Sequence, residues 1–166
     1  MLTVQLTDAD YVAAQRLHTG RARMIPLLFD GVLIALGVLA WIGAFGREFR
    51  EGAVVFVPVM AIILLLTIVA QYAIAPRRWL RNFREQKTAH HPITYSWNDT
   101  TLTAQTNYGT STLPWTDFLK TRENDDVYLL YLARMLFHCI PKRAFATPAQ
   151  AAEFSALIKA RIGRNA

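Results

Sequence analysis

The chain has 166 residues, 53% of them hydrophobic, one cysteine and a formal net charge of +6. That length holds one modest domain plus a few extra elements, not two full domains. From Pro92 onward eight basic residues face six acidic ones, a difference of only +2, so the basic stripe that a nucleic-acid-binding domain needs is missing.

The opening LTVQLT (2–7) alternates apolar and polar residues, which predicts a short half-buried strand. Thr7 followed by Asp10 matches a capping box and predicts a helix from about Asp8 to His18. Tyr11, Val12, Ala14 and Leu17 form its apolar face, and Gly20 ends it.

Two apolar runs follow, 24–45 and 53–75, holding one acidic residue, Asp30, and no basic one. At ~1.5 Å per residue each covers the ~30 Å hydrocarbon layer of a bilayer, and neither has the polar face of a small soluble domain's helix. The expectation is a transmembrane hairpin, with the first run an uncleaved anchor because a polar segment precedes it. Pro26 falls near that run's first turn, and Pro58 bends the second. The spacings Gly31/Ala35 and Ala40/Ala44 suit close helix packing.

Arg16, Arg21 and Arg23 precede the first run, and Arg77, Arg78, Arg81, Arg84 and Lys87 follow the second. The loop GREFREG (46–52) is charge-balanced, so both termini are expected in the cytoplasm, as for a multi-pass protein of a plasma membrane. Cys139 then lies in a reducing compartment and has no disulfide partner. Asp30 reads as a shallow polar anchor satisfied by Thr67, Gln71 or Arg77, rather than as a proton or ion relay, which would need more ionisable groups at depth.

In PRRWLRNFREQK (76–87) Trp79, Leu80 and Phe83 alternate with Arg77, Arg81 and Arg84, the pattern of an amphipathic helix at the membrane surface. Beyond it, short runs between turn signals predict an antiparallel sheet: 92–97, 101–106, 110–113, 118–123, 127–132 and 135–140. Thr147, Pro148 and Gln150 open a last helix with Phe154, Leu157, Ile158 and Ile162 on one face and Gly163 at its end. A two-helix span returns the chain to the side it left. The N-terminal strand is therefore expected to join the later sheet beside Ile93 to Trp97, making the hairpin an insertion into one α+β domain. The expected division is 1–23, strand and helix; 24–75, hairpin; 76–90, basic amphipathic helix; 91–166, sheet plus helix.

The carriers PWTDFLKTREND (114–125), VYLLYL (127–132), IPKRAF (140–145) and AAEFSALI (151–158) resemble the YcxB-like family of bacterial membrane proteins. The resemblance implies a cytoplasmic sheet closed by a C-terminal helix, comparable to pleckstrin-homology-like domains, in the bacterial inner membrane. It implies no catalytic residues.

His90 with His91 and His138 with Cys139 lack metal-ligand spacing, Asp125-Asp126 reads as a turn pair, and no phosphate loop or nucleophile elbow occurs. No enzyme, metal or cofactor is expected. The expected role is a membrane adaptor or regulator that binds lipid headgroups, a protein partner or a second copy of itself. The alternatives are an immunity protein against a membrane-acting toxin and an accessory subunit of a membrane complex. Candidate contacts are Arg77, Arg78, Trp79, Arg81, Arg84, Lys142 and Arg143. The last two could instead pair with Asp117, Glu123 or the terminal helix.

Overall fold

The N-terminal residues Leu2–Val4 (β1) pair antiparallel with Ile93–Trp97 (β2), with Leu2 opposite Tyr95 and Val4 opposite Ile93. This contact across ninety residues is the partner strand expected from the sequence. The computed structural model describes residues 1–43 and 46–162. The expected span end at Phe45, Ala44 of the small-residue spacing and the helix stop at Gly163 lie outside them. The chain divides into two compact units, one of residues 1–17 and 79–166 and the other of residues 18–78.

In the first unit β1 and β2 continue into Thr101–Thr106 (β3) and Gly109–Pro114 (β4), giving a four-stranded antiparallel sheet in the order β1-β2-β3-β4. Lys120–Glu123 (β5), Val127–Tyr131 (β6) and Phe137–Pro141 (β7) form a second sheet of three. The single sheet expected from the sequence is thus two. The break comes at Pro114, which cannot extend the ladder, and at the single 3₁₀ turn Trp115–Asp117, which carries the chain from one sheet to the other. Trp115 is buried there, and its indole N–H donates to the Asn98 carbonyl at 2.9 Å.

Helix α4, Pro148–Ile162, closes the main core with Phe154, Ile158 and Ile162, each about 1% exposed or less. Phe145 packs beneath it, 5.4 Å from the Phe154 ring and 5.9 Å from Tyr128. At the helix start Gln150 N donates to Thr147 Oγ1, but the Gln150 side chain reaches back to the N–H of Ala146 rather than of Thr147.

Strand β6 is buried along its whole length. Tyr128 and Leu130 face the main core, while Val127, Leu129 and Tyr131 face a second cluster with Ala13, Ala14 and Leu17. The start of the helix Asp8–Trp41 (α1) therefore covers the outer face of the three-stranded sheet. A strand covered on both faces reads as a continuous apolar run, which explains VYLLYL. Tyr11 stacks on Phe83 with ring centroids 4.7 Å apart. Thr7 and Asp10 make the expected reciprocal cap: Thr7 N donates to Asp10 Oδ2 at 2.8 Å, and Asp10 N donates to Thr7 Oγ1 at 3.3 Å.

α1 does not stop at Gly20. It runs unbroken for 34 residues through Gly20 and Pro26, so Pro26 lies in its interior rather than in a first turn. A helix-interior glycine costs only about 1 kcal/mol relative to alanine, less than a flanking run of good helix formers supplies.

The second unit contains the apolar part of α1 and helix α2, Arg47–Val69, which leads through a wide π turn, Ala70–Ile74, into helix α3, Ala75–Glu85. Pro76 has no N–H to donate and its ring crowds the carbonyl four residues back, and the wide turn directly before it accommodates that clash. Two segments, Ala22–Trp41 and Glu51–Glu85, are long and apolar enough to cross a membrane, and only 11% and 6% of their most apolar windows are buried. Core helices of a soluble protein would be mostly buried, and these are not.

The two helices run antiparallel. Arg23 donates to the Gln71 carbonyl at one end, and at the other a side chain on Gly37 would meet Phe56 and Val57 at 2.9 Å. Gly37 and the buried Ala53 make the close approach, while Gly31 of the small-residue spacing faces open space. The pair also folds earlier than expected, because Arg47 to Gly52, read as a loop, are the first turns of α2. Projected at ~1.5 Å per residue, Asp30 falls level with Leu64 rather than with Gln71.

Candidate functional site

The residues after β7 hold the unit together at a joint between distant segments. Lys142–Ala144 forms one 3₁₀ turn after Pro141, and its two cations take different partners. Arg143 Nε donates to Asp10 Oδ1 at 3.0 Å, while Nη2 donates to Asp10 Oδ2 at 2.5 Å and to the Gln5 carbonyl at 2.9 Å. The Asp10 side chain is 7% exposed. Its burial alone would raise the carboxyl pKa; hydrogen bonds from Arg143 and from the Thr7 N–H and hydroxyl outweigh that and hold it below the ordinary carboxylate value. The sequence named Asp117, Glu123 and the terminal helix as partners, and Asp10 was missed. The only signal was an aspartate, already used as a local cap, with one oxygen to spare.

Lys142 lies 3.5 Å from Glu123, one of its expected partners, and 4.8 Å from the Tyr128 ring centroid. Glu123 also binds Lys159 of α4 and accepts from Ser155 Oγ at 3.1 Å. The hydrogen bond from Lys159 is the main reason its carboxyl titrates below the usual range. The Tyr128 hydroxyl donates to the Ala151 carbonyl at 2.8 Å. Glu123 thus joins Lys142 to Lys159 and Ser155 of α4, while Arg143 fastens the same turn to the N-terminal segment.

Beside this joint lies a groove of about 820 Å³. Asp8, Asp10, Arg16, Asp125, Asp126 and Lys142 line it. Arg84 of α3 pairs with Asp8 at 2.5 Å close to this wall. Asp125 and Asp126 are exposed in the β5–β6 turn, where the Asn124 side chain accepts from the N–H of Asp126 and of Val127. The groove carries both signs of charge alongside the apolar side chains of Val12, Ala13 and Leu80.

The other predicted contact residues are dispersed. Arg81 pairs with Glu85 at 2.9 Å on an exposed helix face, Trp79 is half-buried, and Arg77 and Arg78 are exposed. Among the described residues Arg77 and Arg78 make no ion pair.

The expected satisfaction of Asp30 is not found. Thr67 Oγ1 donates to Ile63 in its own helix, and Asp30 Oδ2 and Gln71 Oε1 are both buried without a hydrogen-bond partner among the described residues. The earlier fold of the helix pair accounts for this, since it sets Asp30 about seven residues short of Gln71.

His90, His91 and His138 do not converge. His90 packs on Phe83, His91 Nε2 meets the Tyr108 hydroxyl at 3.0 Å, and His138 lies edge-on to Tyr95. Burial lowers the His138 pKa and pushes the Cys139 thiol up to about 12. Among the described residues no group of three or more His, Cys, Asp or Glu side chains is placed to hold a metal ion.

The geometry defines an α+β domain of two antiparallel sheets closed by a C-terminal helix, with two long apolar helices between its first and second strands. Residues 97–158 match the family described as YcxB-like protein. The match runs from the end of β2 into α4, so it takes in β3 and β4 as well as the motifs that carried the resemblance. No curated protein and no solved structure matches the chain.

Proposed function

We propose that this protein is a non-enzymatic adaptor or regulator anchored in the bacterial inner membrane. Its two apolar helices cross the bilayer, and its domain, pleckstrin-homology-like in having four strands, then three, then a closing helix, works in the cytoplasm. One observation carries this reading: residues on both sides of two scarcely buried apolar helices fold into the same unit. Both ends of such a hairpin must lie on one side of a membrane, and the arginine-rich flanks favour the cytoplasmic side. The groove beside Asp125 and Asp126 supports a protein partner. Lys142 and Arg143 are occupied within the domain, so among the candidate contact residues the exposed Arg77 and Arg78 are the cations open to lipid headgroups.

The test has two arms. Membranes containing the protein are extracted with alkaline carbonate, and reporter fusions at each terminus read the side on which it lies. Retention in the membrane with both reporters cytoplasmic is expected, and release by carbonate would refute the anchor. Pull-down in mild detergent then compares the wild type with Asp125→Lys/Asp126→Lys. Loss of a stoichiometric partner from the variant supports the adaptor.

A second reading, an accessory subunit of a membrane complex, is favoured by an apolar groove on the helix pair lined by Leu36, Gly37, Ala40, Gly52, Ala53 and Phe56. A partner that survives the double substitution and is lost on Ala40→Trp would select it.

A further inference from the structure

We infer that the tip of the β6–β7 hairpin, with Leu119 beside it, seats in the surface of the bilayer; the inference rests on the membrane-anchored reading and adds a second contact to it. The tip exposes Met135 at 78%, Leu136 at 60% and Leu119 at 53%. Backbone hydrogen bonds gather the three at one end of the sheet: Leu119 N donates to Tyr131 O at 2.8 Å, and Leu132 N donates to Leu136 O at 2.9 Å.

Turns in solvent are built from Gly, Pro, Asn, Asp and Ser. The turn at the other end of this same sheet, Asn124-Asp125-Asp126, follows that rule and is acidic. Ala133-Arg134-Met135-Leu136 contains none of those residues and is apolar and basic. Arg134 makes no ion pair among the described residues, and the Lys120 ammonium lies 5.0 Å from the Tyr131 ring centroid. Apolar side chains rimmed by cations are the chemistry of an anionic lipid surface.

The start of α1 selects the same end. Asp10 lies at Arg143, near the acidic turn, whereas the Leu17 carbonyl accepts from Arg122 Nη1 at 3.3 Å, further toward the apolar tip. The chain leaves this unit at Leu17, and its first membrane-length segment begins at Ala22. Within this unit the start of α1 therefore runs from the acidic turn toward the apolar, basic end of the sheet.

The test uses the full-length protein reconstituted in vesicles of phosphatidylcholine and phosphatidylglycerol. An environment-sensitive dye is attached through Met135→Cys or, as control at the opposite turn, Asp125→Cys; wild-type protein treated in parallel gives the background from Cys139. Quenching by aqueous iodide is expected to be several-fold weaker at position 135 than at 125, at high and at low lipid-to-protein ratio. Equal quenching in protein that floats with the vesicles overturns this inference and leaves the anchor standing. Failure to float refutes the anchor and this inference with it. Protection at 135 that vanishes on dilution in lipid means that a second copy covers the tip, and also overturns the inference.

Discussion

Arg143 holds both carboxylate oxygens of Asp10 and the carbonyl of Gln5, joining residues 133 positions apart. The pair fastens the capped start of α1 to the segment that links the second sheet to α4. Arg143 is half exposed, so the contact is worth less than a fully buried pair. Arg143→Ala is expected to destabilise the protein by about 1–3 kcal/mol, the range for leaving a buried polar group without its partner. Asp10→Asn on top of it should add less than it does alone, because the two residues share one interaction. Thermal melts of the four proteins in detergent give the coupling; full additivity would show that the pair contributes nothing.

Acid should loosen the same joint. The Asp10 and Glu123 carboxyls both titrate below their ordinary values in the folded protein. A group with a depressed folded pKa contributes stability above its unfolded pKa, about 4, and loses it as pH falls through the folded value. His138, lowered by burial, adds an earlier loss that begins as pH falls below about 6.5. The melting temperature should therefore decline in two stages on acidification. Arg143→Gln, which removes the main cause of the Asp10 depression, should flatten the stage below pH 4.

β1 has two inward residues, Leu2 and Val4, at 5% and 2% exposure. Leu2→Ala should cost about 2 kcal/mol or more, within the range for leucine truncation in a packed core. Thr3→Ala, on the exposed face, should cost under about 1 kcal/mol. Equal effects in chemical denaturation would mean that β1 is not part of the core.

Cys139 packs against the cluster beneath α1, and burial pushes its thiol up to about 12. A maleimide at neutral pH should label the folded protein far more slowly than the unfolded one, since the thiolate is the nucleophile. Rapid labelling of the folded protein would contradict the packing of α1 on the second sheet.

Much of this was legible locally. The Thr7/Asp10 cap, the two apolar runs, the alternation in β2 and β3 and the apolar face of α4 all follow from neighbours within a few residues. Three features were not. Gly20 looked like a stop because glycine often ends helices, yet its modest cost is overridden by the helix-forming residues around it. VYLLYL read as a strand, but its continuity also meant that both faces are covered, one of them by α1. Asp10 had a complete local explanation as a cap, which hid its second role toward Arg143. The Asp30 environment was misplaced for a simpler reason: six residues assigned to a loop belong to α2, which shifts the register of the whole pair.

The central claim is that residues before the apolar helices and residues after them form one sheet. Thr3 and Thr94 are register partners across β1 and β2, with hydroxyl oxygens 3.1 Å apart. Opposed strand residues bring their Cβ atoms within reach of a disulfide. In a Thr3→Cys/Thr94→Cys protein, mild oxidation in native membranes followed by cleavage at an engineered protease site after Gly46 should leave the two fragments linked until reductant is added. Free fragments without reductant, with a linked fraction no higher than for Thr3→Cys/Thr103→Cys, would show that β1 does not pair with β2.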